Sequence, residues 1–230
     1  KVRLERTGFF KTVDVKPVRV PNSPDQVDLN VNVEEQHSGT TTLAVGYSQN
    51  GGVTFQAGLS QTNFMGTGNR VAIDLSRSET QDYYNLSVTD PYFTIDGVSR
   101  GYNVYYRKTK LNKEYNVNNY VTDSVGGSLS FGYPIDENQS LSASIGIDQT
   151  KVTTGPNVST YIRDYLLANG GKATGDNAFE GEFLTYTLNL GWSYNTLNRP
   201  IFPTSGMSHR VGLEVGIPGS DVDYQKLTYD

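Results

Sequence analysis

The sequence predicts an all-β fold, an antiparallel transmembrane β-barrel preceded by a short α+β piece. Three features predict it. From Thr40 onward apolar residues recur at every second position in run after run, which puts them on one face of a strand. The opposite faces carry small and polar residues: Thr54, Gln56, Gly58 and Ser60 in one run, Ser128, Ser130 and Gly132 in another, Thr185, Thr187, Asn189, Gly191 and Ser193 in a third. A soluble sandwich sends long charged side chains to water on its outer face, whereas a wide barrel turns its apolar face to lipid and needs only a hydrated lumen inside. Third, Tyr47, Tyr92, Phe93, Tyr133, Tyr194 and Phe202 fall at strand ends or adjacent turns, where the aromatic girdles of such a barrel lie. The longest apolar run, Tyr165-Leu166-Leu167-Ala168, is far short of the ~20 residues a membrane-spanning helix needs, so strands must make any crossing.

The elements follow in order. Lys1 to Arg6, followed by Gly8, read as the last turns of a helix with basic residues near its C-terminus and a glycine cap. Val13, Val15, Val18 and Val20 give an extended segment broken by Pro17; after the turn Pro21-Asn22-Ser23-Pro24-Asp25, the alternating Val27, Leu29, Val31 and Val33 complete a hairpin. The short polar stretch Glu34 to Gly39 places a boundary between a domain over 1–37 and a barrel portion over 38–230. About nine strands then follow, centred on Leu43–Tyr47, Val53–Leu59, Val71–Leu75, Tyr84–Val88, Tyr102–Tyr106, Val125–Tyr133, Leu141–Ile147, Leu184–Tyr194 and Val211–Ile217. The connections Phe64–Gly68 and Tyr133–Asn138 read as tight, whereas Thr153 to Gly181 is long, so one end carries the larger loops. Within that long loop Val158, Tyr161, Ile162, Tyr165 and Leu166 have helical spacing, with Asn157 as N-cap and Gly170 as C-cap of a helix near 157–169. It is either a lid over the barrel mouth or a compact surface element.

Composition excludes several functions. Of 230 residues 36% are hydrophobic with 24 glycines besides, which is ordinary for a folded chain. Lys plus Arg 19 against Asp plus Glu 24 gives −5, without the basic footprint that nucleic acid requires. There is no cysteine, and His37 and His209 cannot by themselves make a histidine-rich metal cage, so neither metal nor cofactor is expected. Asp90-Pro91 is turn chemistry, and Gly66-x-Gly68 precedes a strand instead of opening a helix, which fails the dinucleotide context. His209 lies at a strand start with no serine in an identifiable elbow, which favours an interfacial structural histidine over a lipase base. Asn85-x-Ser87 and Asn157-x-Ser159 match a glycosylation pattern, a short match with little weight by itself. No catalytic residue is expected. The chain opens mid-pattern without methionine and stops in what reads as a strand at Asp230, so it reads as a fragment.

Leu4-Glu5-Arg6-Thr7-Gly8-Phe9-Phe10, Val13-Asp14-Val15 and Pro21 to Asp28 resemble the end of the last polypeptide-transport-associated (POTRA) domain of the BamA family of outer-membrane β-barrel assembly proteins. Gly46-Tyr47, Val53 to Gly58, Gly66-Thr67-Gly68, Phe202 to Gly206, Ile217 to Asp221 and above all Thr89-Asp90-Pro91-Tyr92-Phe93-Thr94-Ile95-Asp96-Gly97-Val98-Ser99 are similar to the start of its barrel. The resemblance covers essentially the whole chain. It implies a central subunit of the machinery that folds and inserts β-barrel proteins into the Gram-negative outer membrane, with POTRA domains in the periplasm and about nine of an expected sixteen strands in this chain. It implies lipoprotein partners, with a BamD-type contact near the last POTRA domain, unfolded outer-membrane proteins as clients, and outer-membrane lipids. The family's Val-Arg-Gly-Phe quartet and its last strand, which meets the first at a lateral seam, are not in this sequence.

On the residues alone, Thr40 to Tyr47 is the first strand of a closed barrel. The resemblance makes Thr40, Thr41, Thr42, Leu43, Ala44, Val45, Gly46 and Tyr47 the edge on which client strands pair. The alternating run there is about eight residues against the ~9 to 11 of a spanning strand, which predicts a thinned bilayer and weak pairing. A POTRA-plus-barrel translocation pore of the two-partner-secretion type is the alternative, separated by secretion of a client through the lumen.

Overall fold

The computed structural model describes residues 4–5, 9–21, 26–49, 52–110, 120–175, 177–199 and 202–230. Leu4 and Glu5 are helical; the rest of the predicted helix, its Gly8 cap and the turn residues 22–25 lie outside the described residues. Strands β1 (Phe10–Arg19) and β2 (Val27–Glu35) pair antiparallel as a sheet of their own. Contrary to expectation, Pro17 does not break β1. Val20 donates to the Gln26 carbonyl, and stepping the register back from that bonded pair makes Pro17 and Leu29 a non-bonded pair. The missing N–H of Pro17 therefore points off the hairpin and costs no ladder bond.

The remaining strands are β3 (Gly39–Ser48), β4 (Gly52–Gln61), β5 (Arg70–Arg77), β6 (Gln81–Asp90), β7 (Ser99–Lys110), β8 (Tyr120–Pro134), β9 (Gln139–Thr154), β10 (Lys172–Gly175), β11 (Ala178–Asn195), β12 (Ser208–Gly216) and β13 (Gln225–Tyr229). Their order is β13-β12-β11-β9-β8-β7-β6-β5-β4-β3, an antiparallel meander; off this path β10 pairs with β11. All nine predicted strands are present. The tenth of the path, β13, was visible in the sequence only as an extended ending. β3 has ten residues, not about eight, because Gly39 and Ser48 also pair with β4. The connection around Gly66 is longer than a tight turn, eight residues from Thr62 to Asn69 enclosing a 3-10 turn at Phe64–Gly66.

The two faces separate as the alternation predicts. One row of paired residues runs Leu59, Ile73, Leu86, Val104, Gly127, Ile147 and Tyr186, and the next holds Ala57, Leu75, Tyr84, Tyr106 and Val125. The polar face is the concave one: a hollow of about 530 Å³ is lined together by Tyr105 of β7, Ser124 of β8, Asp148 of β9, Thr187 of β11 and Glu214 of β12, residues that only a curled sheet brings round one space. Leu188, Leu190 and Trp192 lie on the convex side, as a lipid-facing surface requires.

Helix α1 (Thr160–Ala168) sits inside the long loop, on the polar face. Its N-cap is Ser159, whose hydroxyl accepts from the Ile162 amide, and not Asn157. Its C-cap is Asn169; Gly170 follows with φ 83°, and Gly171 donates to the Leu166 carbonyl, closing a Schellman turn. Leu166, 1% exposed, packs with Phe179 and Phe183 of β11. Both phenylalanines break the polar alternation of that face, and they do so where the helix covers them.

Candidate functional site

The eight residues Thr40 to Tyr47 all lie in β3, the end strand of the meander, which among the described residues pairs with β4. The register Thr40↔Ser60 through Tyr47↔Val53 puts Thr41, Leu43, Val45 and Tyr47 on the apolar face and Thr40, Thr42, Ala44 and Gly46 on the polar one. All eight are exposed. Backbone polarity follows from one bond. Thr62 donates to the Ser38 carbonyl at 2.7 Å, so 38↔62 is a bonded pair. With period two, Thr40, Thr42, Ala44 and Gly46 exchange bonds with β4, while the N–H and C=O groups of Thr41, Leu43, Val45 and Tyr47 point to the other edge. The side chains facing lipid and the backbone groups facing a further strand thus belong to the same four residues.

The lumen-facing wall is a polar network that the alternation alone did not single out. Tyr105 lies across Gly126 on the neighbouring strand and donates its hydroxyl to Asp148. Thr150 also donates to Asp148 and shares a 2.8 Å hydrogen bond with Ser124. The Arg107 guanidinium stands 5.2 Å from the Tyr83 ring and 5.6 Å from the Tyr105 ring. Farther along, Tyr224, in the connection between β12 and β13, donates to Glu214; burial, and then that carboxylate, push its phenol up to about 12.

The outer face carries a second unpredicted feature. Successive register partners Arg77, Asp82, Lys108, Asp123, Lys151 and Glu182 form one row of alternating charge across six strands. Lys108 and Asp123 are 3.4 Å apart, and Lys151 reaches the neighbouring Glu180 at 2.7 Å. Lysines scattered through a sequence give no hint of a row until the register is known.

At the opposite end of the strands, Trp192, Tyr194, His209 and Tyr229 stack in series, with centroids 6.0 to 6.3 Å apart. His209 Nδ1 lies 2.8 Å from the Tyr229 hydroxyl, so its ring is held among aromatic neighbours. Asp90 Oδ1 accepts from the Tyr92 amide as a turn residue. Among the described residues no group of three or more His, Asp or Glu is placed to hold a metal ion.

The Omp85 superfamily domain matches residues 63–230. The chain is 32% identical over its whole length to the outer membrane protein assembly factor BamA of Neisseria meningitidis serogroup B, and 28% identical over 66% of its length to that of Buchnera aphidicola. It spans 29% and 24% of those relatives. Among solved structures, BamA from Haemophilus ducreyi lacking POTRA domains 1–3 superposes with a TM-score of 0.81 at 34% identity, over 99% of this chain and 43% of that one. CdiB from Acinetobacter baumannii superposes at 0.62 with 13% identity over 99% of this chain and 41% of that one, a likeness of fold alone. The match to the superfamily domain, the likeness to BamA along the whole chain and the curled, lipid-facing meander agree: this chain belongs to the Omp85 superfamily and has the outer-membrane β-barrel architecture of BamA.

Proposed function

We propose that the protein is the central subunit of an outer-membrane β-barrel assembly machinery, and that β3 is the edge on which it receives client strands. It acts without covalent chemistry, by lending backbone groups and a disturbed bilayer to an incoming barrel. The observation that carries this reading is the likeness to BamA along the whole chain, and β3 supports it: the N–H and C=O groups of Thr41, Leu43, Val45 and Tyr47 face away from β4, the side on which a further strand would pair. In hydrocarbon each such group left unpaired costs several kcal/mol, so a strand presented on that side is held by backbone hydrogen bonds.

The outer charges add a second support. On β6 the apolar stretch lies between Asp82 and Asp90, 90 − 82 = 8 steps, or ~26 Å along the strand and ~20 Å across the membrane at a tilt near 40°. On β11 it runs from Glu182 to Tyr194, 194 − 182 = 12 steps, or ~40 Å and ~30 Å. The apolar band is lower on the strands nearer β3, which favours a bilayer thinned there even though β3 itself has ten residues.

In this reading residues 1–37 end a periplasmic POTRA domain, a lipoprotein of the BamD type docks near it, and unfolded outer-membrane proteins are the clients. The likeness of fold to CdiB makes a translocation pore the second reading. The experiment is reconstitution of the full-length protein in liposomes, with cysteine pairs between β3 and a client's terminal strand. Crosslinks at Thr41, Leu43, Val45 or Tyr47 during client insertion are expected. Secretion of a client through the lumen without such crosslinks would favour the pore.

A further inference from the structure

The convex face beside β3 is not evenly filled. On β4 the outward residues include Val53, Phe55, Ala57 and Leu59, so one methyl group stands between the large side chains of Phe55 and Leu59. The result is a hollow of about 440 Å³, walled by Leu43 and Val45 of β3, Phe55 of β4, Leu75 of β5 and Tyr84 of β6. That is the size of a small-ligand site, and its walls are nearly all apolar. Arg77 closes its upper rim.

Arg77 is the one member of the outer charge row that borders this hollow. It is 77 − 70 = 7 steps from the start of β5, or ~23 Å along the strand and ~18 Å across the membrane at a tilt near 40°. Its register partner Asp82 ends the apolar stretch of β6, so Arg77 stands at the upper edge of the apolar band, the level at which lipid headgroups meet the protein. Its neutralisation within the protein is incomplete. Nε is 3.6 Å from Asp82 Oδ1, beyond hydrogen-bond length, and the same carboxylate is shared with Lys110 at 3.5 Å. Asp82 is 13% exposed while the Arg77 side chain is 72% exposed, so the guanidinium projects outward from its partner. The acid two positions on, Glu79, lies over Gly52, the first residue of β4.

We propose that this hollow binds one phosphate-bearing glycolipid of the outer leaflet, with an acyl chain over Ala57 and the phosphate on Arg77. A planar guanidinium suits a phosphate in two-point contact, and a headgroup at the level of Arg77 satisfies the cation. The choice of leaflet rests on the orientation in the function proposed above, in which the β1–β2 hairpin is periplasmic and Arg77 lies at the far end of the strands. A second apolar hollow of about 430 Å³, over Ala143 and between Phe131 and Leu190, provides the contrast. The nearby cation, Arg100, is held 4.0 Å over the Phe93 ring and 3.8 Å from Asp90.

The test is native mass spectrometry of the full-length protein with phosphorylated glycolipid, the same glycolipid dephosphorylated, or phosphatidylglycerol. The unsubstituted protein should retain one phosphorylated glycolipid in preference to the other two. Arg77→Gln and Ala57→Phe should each lower that retention by roughly tenfold, while Ala143→Phe leaves it unchanged. Heat-dependent gel mobility verifies that each variant is folded. Equal retention of phosphorylated and dephosphorylated glycolipid, equal retention of phosphatidylglycerol, or unchanged retention by folded Arg77→Gln would overturn the proposal. Client insertion in phospholipid-only liposomes is read separately; its failure would count against the assembly function and leave lipid retention to decide this site.

Discussion

Gly126 shows how much one position on the concave wall controls. A Cβ there would stand 2.7 Å from the Tyr105 ring and 2.9 Å from the Ile147 carbonyl oxygen, and the backbone atom cannot step aside as a flexible side chain could. The glycine leaves the trough through which Tyr105 reaches Asp148, two strands away. Gly126→Val should therefore force the ring off its partner and cost about 3 kcal/mol, through overpacking and the lost charge-assisted hydrogen bond. Tyr105→Phe, which keeps the ring and removes only the hydroxyl, should cost less. Urea unfolding of the full-length protein in vesicles measures both, and equal stability of Gly126→Val and the unsubstituted protein would contradict this account. The sequence offered Gly126 as one small residue among many; its role depends on a tyrosine about twenty positions away in the chain.

At the scale of elements, β3 and α1 make opposite demands on their backbones. In β3, Leu43→Pro or Val45→Pro deletes an N–H that points away from β4 and leaves the β3–β4 ladder whole, whereas Ala44→Pro deletes one that β4 uses. Leu43→Pro and Val45→Pro should give folded protein that fails in client insertion, and Ala44→Pro should impair folding itself. Heat-dependent gel mobility reads the first property and the liposome assay the second. Normal insertion by folded Leu43→Pro and Val45→Pro protein would remove β3 as the docking edge. Helix α1 depends on one buried anchor. Leu166→Ala should lower its local stability by about 2 to 5 kcal/mol, seen as faster amide exchange over Thr160–Ala168 with exchange in β4 to β6 unchanged. The helix was legible from its spacing. Its cap was not, because Asn157 and Ser159 are both good N-caps and the choice follows from where Leu166 meets Phe183.

For the molecule as a whole, the decisive asymmetry is between a convex apolar surface and a concave polar one. Adjacent residues on β11 test it directly: Leu190 faces outward and Asn189 inward. In vesicles Leu190→Arg should destabilise the protein by about 2 to 4 kcal/mol, while Asn189→Arg should stay near neutral because its side chain reaches a hydrated lumen. Urea titration of both variants of the full-length protein measures the difference; equal penalties would mean that the two faces do not meet different solvents.

The sequence by itself determined the alternation, and with it the strands, their faces and the antiparallel meander, because a side-chain period of two is a local property of the chain. It also determined that Thr40 to Tyr47 is a strand, though not its full ten residues or which of its backbone groups remain outward. Those depended on register, which is set by pairing with β4 and by the bond between Thr62 and Ser38. The same holds for the charge row from Arg77 to Glu182, for Tyr105 lying across Gly126, and for the hollow over Ala57. Each is assembled from residues far apart in sequence but adjacent across strands, so their neighbours exist only once tertiary structure has aligned the strands and curled the sheet.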